Sequence, residues 1–187
     1  MSMDEMSDEE IVKRIQEGDM DAFGLLVERY EPKLARYAKR FLFGQEDSKD
    51  LLQDVFIKAY QNIRGFDLAR KFSPWIYRIA HNEFVNAIKK KERSPLFFFD
   101  PDTLFPHPAA PETADDFALR GELRELLDKH LGALDAKYRE PLILNFFEEL
   151  DYKEIADVLK IPTATVGVRL ARGKALLRGM INEGESK

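Results

Sequence analysis

Residues 152–178 read YKEIADVLKIPTATVGVRLARGKALLR. In the first part, Ile155, Ala156 and Leu159 recur at helical spacing and form an apolar stripe. Lys160, Ile161 and Pro162 interrupt it, because proline lacks a backbone donor and biases the residue before it away from helix. Thr163 then offers a hydroxyl cap for a second helix. That helix carries Val166, Leu170, Leu177 and Ile181 on one face and Arg169, Arg172 and Lys174 on the other. A short helix, a corner and a basic amphipathic helix make a helix-turn-helix, which presents its second helix to the major groove of DNA. The competing reading is a plain helical hairpin whose basic residues form a solvated face.

The rest of the chain decides between them. With 187 residues, 44% hydrophobic and 34% charged, it is long enough for two small helical domains. No apolar run approaches the ~20 residues of a membrane span, so membrane insertion is not expected. The acidic start, MSMDEMSDEE, lacks the basic and apolar regions of a signal peptide. There is no cysteine, which removes disulfides, thiolate metal sites and a cysteine nucleophile. These features point to a cytoplasmic protein. The net charge of −5 opposes unaided binding to DNA, since phosphate contacts supply most non-specific affinity. Either the protein does not bind DNA, or it binds as part of a larger assembly that supplies much of the contact; the uneven spread of the acid favours the second.

Upstream, helices are expected over residues 11–17, from Asp19 or Asp21 to Tyr30, and from near Pro32 to Gly44. Residues 45–62 form the next helix, with Leu51, Leu52, Val55, Phe56 and Ala59 inward. Asp50, Asp54, Ile57 and Gln61 make a second stripe, which is either a solvated face or a docking surface for a basic helix. A loop around Phe66 follows. Ser73 and Pro74 then start a helix to about Lys91. Its Trp75, His81, Asn82, Asn86 and lysine run interleave ring, amide and cation, which suits single-stranded nucleic acid. Trp75 also reads as partly core, and His81 as a surface residue. Residues 94–116, SPLFFFDPDTLFPHPAAPETADD, hold five prolines and no helical period. They read as a linker whose phenylalanines, Phe97, Phe98, Phe99 and Phe105, pack on a partner or on the N-terminal domain. Helices over residues 117–134 and 138–149 lead into the helix-turn-helix. The expected organisation is all-α. Its parts are an acidic flexible lead (1–10), a helical domain (11–93), the linker (94–116), a second helical domain (117–181) and a disordered tail (182–187).

Three segments, in order, resemble the extracytoplasmic-function (ECF) sigma factors of the sigma-70 family. DSKDLLQDVFIKAYQNIRGFD and FSPWIYRIAHNEFVNAIKKKER are similar to the two parts of sigma region 2, and AKYREPLILNFFEELDYKEIADVLKIPTATVGVRLARGKALLR to region 4. The resemblance implies a dissociable subunit of RNA polymerase, with no catalytic activity and no cofactor or metal. It would recognise and melt a −10 element with one domain and bind a −35 element with the other. Asp50, Gln53, Asp54 and Ile57 would dock on the polymerase's largest subunit. Phe66, Tyr77, Ile79 and Asn82 would form or line a pocket for an unstacked base, with Arg78, Asn86 and Lys89 on the strand backbone or at its edge and Trp75 among the same −10 contacts. The linker would thread toward the active-centre and RNA-exit channels, so the second-largest subunit is also a partner. An anti-sigma factor is a further expected partner. Thr163, Thr165, Val168, Arg169, Arg172 and Lys174 would face the −35 element. Gly167 and Val168 depart from the basic and small polar residues common there, and Ala171 replaces a larger one. This leaves Arg172 the best candidate for a bidentate guanine contact. The alternative is a stand-alone helix-turn-helix regulator, which would bind its operator tightly without polymerase.

Overall fold

Pro32 does not end a helix. In the computed structural model, which describes residues 6–42, 48–92 and 130–184, a single helix runs through it. The chain divides into two units, residues 1–95 and 96–187. Among the described residues the regular structure is entirely helical. The first unit contains α1 (Asp8–Gln16), α2 (Phe23–Leu42), α3 (Ser48–Asn62) and α4 (Phe72–Glu92). The second contains α5 (Ala136–Phe146), α6 (Tyr152–Leu159) and α7 (Thr163–Gly184). The linker phenylalanines and nearly all of the helix expected from residue 117 lie outside the described residues.

The two helices expected on either side of Pro32 are therefore one. Leu26, Tyr30, Leu34, Tyr37, Ala38 and Phe41 continue one buried stripe through the proline. Burying a large apolar side chain contributes roughly 1.5–3 kcal/mol. Several such side chains on each side outweigh the ~3 kcal/mol that an interior proline costs.

Residues 8–10, expected within a flexible lead, are helical. Helix α1 starts at Asp8, because Ser7 and Glu10 form a reciprocal capping box. The Ser7 backbone donates to Glu10 Oε2 at 2.7 Å, and Glu10 N donates to Ser7 Oγ at 3.2 Å. The Ser7 backbone bond is the main influence holding the Glu10 carboxyl below its ordinary pKa. Asp8 also accepts from the Tyr30 hydroxyl and pairs with Arg29, each at 2.5 Å. Burial, and then Asp8, push the Tyr30 hydroxyl well above the ordinary tyrosine range. Gly18, at φ 113°, ends the helix with a conformation that favours glycine. Asp19 then caps the 3-10 turn Met20–Ala22.

An aromatic network fills the core of the first unit. Tyr37 stacks on Phe41 and touches Tyr77 and Phe84, while Tyr30 meets Phe72 and Tyr77 edge to face. Helix α4 begins at Phe72 rather than at Pro74, so Pro74 still lies in the first turn, where it is tolerated.

In the second unit, α5 and α7 cross at Gly173. A Cβ there would lie 2.7 Å from Leu142 Cδ1, so any other residue would force the Leu142 side chain to shift. The turn after α5 uses Glu149 at φ 58°, and the buried Asn145 amide donates to Leu150 O at 3.0 Å. Asp151 and Glu154 form a second capping box at the start of α6. Lys160, left-handed at φ 57°, closes α6 where the sequence places the corner. Helix α7 takes Thr163 as its first residue and continues to Gly184, through the first part of the expected tail.

Candidate nucleic-acid interface

The first surface lies on α3. Asp50, Gln53 and Asp54 are exposed and Ile57 is 46% exposed. Their spacing places all four on one face. Leu52, Val55 and Ala59 occupy the buried side. An isoleucine this open leaves a large apolar surface uncovered inside an acidic stripe. Next to it, Lys58 Nζ reaches Glu83 Oε1 on α4 at 2.5 Å, which ties the two helices together.

The second surface lies on α4 and the connection before it. Arg78, Asn82, Asn86 and Lys89 follow one another at helical spacing. Asn82, Asn86 and Lys89 are exposed, while Arg78, Ile79 and His81 are half-buried. Trp75 is half-buried, with its ring 5.3 Å from Phe66 and 5.4 Å from Phe72. Phe66 is only 6% exposed, so it backs the tryptophan and leaves little of its own ring open. This arrangement offers a ring for stacking, amides for base edges and cations for phosphate. Tyr77 departs from expectation. It is 1% exposed and packs on Tyr30 and Tyr37, on the opposite side of α4, so it cannot line a surface pocket.

The third surface lies on α7. Thr163 and Arg172 are exposed and Arg169 is half-buried. Lys174 is half-buried with its ammonium 5.3 Å from the Phe146 ring centroid, so part of its charge is directed at an aromatic face. Thr165 is fully buried and Val168 is 6% exposed, contrary to the expectation that both face DNA. The cause is visible along the helix: residues 165–168 are all buried, and four consecutive residues cover a full turn. That turn is enclosed all round, not along one seam. Ala171 and Arg172 follow it as exposed positions.

Sequence reasoning missed several polar residues that shape these surfaces, among them Glu9, Gln16, Lys58 and Glu83. Each lies in a helix whose apolar period says nothing about which polar side chain reaches a neighbouring element. Among the described residues no group of three or more His, Asp or Glu side chains could hold a metal ion, and no helix is long and apolar enough to cross a membrane.

An exposed acidic stripe, an aromatic and amide-lined helix and a helix-turn-helix together are the features of a helical DNA-recognition protein built in two units. The comparisons narrow this class. Residues 26–94 match Sigma-70 region 2, and residues 124–177 match Sigma-70, region 4. The chain is 33% identical to the ECF RNA polymerase sigma factor SigW of Bacillus subtilis, over 96% of this chain and 99% of that protein. It is 30% identical to the ECF RNA polymerase sigma-E factor of Haemophilus influenzae, over 95% of this chain and 97% of that one. Among solved structures it is similar to CnrH in complex with the cytosolic domain of CnrY. The TM-score is 0.68 and the identity 27%, over 95% of this chain and 99% of the other. The chain belongs to the ECF RNA polymerase sigma factors. Its role is that of a sigma factor in transcription initiation, and the stand-alone regulator is not favoured.

Proposed function

We propose that the three surfaces divide promoter opening among themselves. Asp50, Gln53, Asp54 and Ile57 dock the protein on the largest subunit of core polymerase. Trp75, Arg78, Ile79, Asn82, Asn86 and Lys89, backed by Phe66, capture the melted −10 strand. Arg172, with Thr163, Arg169 and Lys174, holds the −35 element, and Thr165 and Val168 support that helix from inside. The observation that carries this reading is the outward stripe of α4. It places Arg78, Asn82, Asn86 and Lys89 in line with the half-open Trp75 ring. Unstacking a base costs a few kcal/mol, and stacking with edge hydrogen bonds returns about 1–3 kcal/mol per base.

The protein acts by binding and has no catalytic step of its own. It works in the cytoplasm with core polymerase, whose second-largest subunit is a further contact, and with promoter DNA. A protein inhibitor of the anti-sigma class covers these same surfaces. That part of the reading is supported by the CnrH structure, which was solved with the cytosolic domain of CnrY bound.

Transcription from a cognate promoter with purified core polymerase tests the assignment. Asp54→Lys should abolish association with core. Asn82→Ala should leave association intact and impair strand opening. Tight, specific duplex binding without polymerase would instead support the stand-alone regulator.

A further inference from the structure

We propose that α1 is a positioning element for the −10 reader and acts through Gln16 and Glu9. The inference rests on the assignment of α4 and Phe66 to the melted strand. Gln16 ends α1, and its amide Nε2 donates to two backbone carbonyls of the α3–α4 connection, Ile63 O at 3.1 Å and Phe66 O at 2.8 Å. Both donors of one amide are thus committed to the short segment that carries Phe66. Glu9 grips the other end of the same connection. Its Oε1 accepts from Phe72 N, the first amide of α4, at 2.9 Å. Such amides have no partner within their own helix, so Glu9 caps α4 from a different element.

Glu9 and Gln16 lie two helical turns apart on one face of α1, a span of about 10 Å. Val12 sits between them and is fully buried, which fixes that face against the unit. The backbone of the connection also makes local bonds. Phe66 N donates to Ile63 O, and Asp67 accepts from Ala69 N and Arg70 N, all between 3.0 and 3.1 Å. Residues 67–71 are all exposed. The Gln16 amide ties the Ile63 and Phe66 carbonyls of this segment to α1. The bracket therefore sets where Phe66, and the Trp75 ring that rests against it, stand relative to Asn82 on the next turns of α4.

The test uses the full-length protein with core polymerase. Gln16→Met keeps the side-chain length and removes both donors. Loss of two hydrogen bonds of ordinary net strength should lower open-complex formation on a duplex promoter about tenfold. It should also flatten the preference for one base in the non-template −10 strand, on duplex and on pre-opened promoter alike. Affinity for core should not change. Glu9→Ala should produce the same flattening, and it keeps the test available if Gln16→Met fails to fold, which Trp75 fluorescence during unfolding would report. Unchanged base preference in folded variants overturns the proposal. So does a loss shared equally by all bases and by core binding, which is the signature of general unfolding. Asn82→Ala in the same assay separates two failures. If it flattens preference and the α1 variants do not, only the bracket is wrong. If Asn82→Ala also leaves preference intact, the assignment of α4 falls and the bracket with it.

Discussion

The two units present their proposed DNA contacts in opposite ways. In the first, a packed aromatic core pushes polar side chains outward, and Asn82, Asn86 and Lys89 stand open on α4. In the second, α7 spends a full turn, residues 165–168, inside the protein, and beyond it the exposed cations among the described residues are Arg172 and, further along, Arg178. The difference teaches that sequence position within a recognition helix does not guarantee a surface. On the proposed reading, the first unit carries the richer chemistry and the second acts mainly as an anchor.

The largest expected effect falls on docking. Ile57→Glu places a charge in the only apolar part of the acidic stripe. A central apolar contact of this type is worth about 2 kcal/mol or more, so affinity for core should drop at least about thirtyfold in a competition assay. Next, Gly173→Ala should destabilise the second unit by about 1–3 kcal/mol, because the added methyl meets buried Leu142 in the helix crossing. The single tryptophan, Trp75, lies in the first unit. Its fluorescence should therefore report an unchanged transition while circular dichroism shows the weakened one. A shift in both would mean that the units unfold together. Arg172→Ala should cost about 1–3 kcal/mol of promoter binding and relax specificity at one −35 base pair, whereas Val168→Ala should leave specificity unchanged. If Val168→Ala alters base preference, the enclosed turn opens on DNA and the contrast between the units weakens. The smallest effect belongs to Lys160→Gly. Relief of the left-handed strain, partly offset by the freer unfolded chain, should raise stability by about 0.5 kcal/mol in a urea titration.

Much of this architecture was legible in the residues. The corner at Lys160–Pro162, the buried seam of Val166, Leu170 and Leu177, and the outward face of Asp50, Asp54, Ile57 and Gln61 all follow from apolar period and punctuation. Pro32 misled, because a local breaker signal competes with a buried stripe that only the folded unit reveals. Ser7 with Glu10 carries a capping-box spacing, yet an acidic start reads first as a frayed end. Thr165, Val168 and Tyr77 were misplaced for one reason. Motif position fixes where a residue sits along its helix, but the other elements of the unit decide whether that side is open. Gln16 and Gly173 gave no local signal, because each matters only through a neighbour distant in sequence.

The bracket made by α1 also has a consequence for how the chain is born. The partners of its two gripping side chains lie 47, 50 and 63 residues downstream. At roughly 5–20 residues per second, translation delivers Phe72 some 3–13 seconds after Glu9. Glu9 and Gln16 thus wait longer for their partners than Asp8, whose partners Arg29 and Tyr30 lie 21 and 22 residues downstream. During that interval the nascent first unit holds its buried apolar stripes without the clasp that fixes the strand-reading segment.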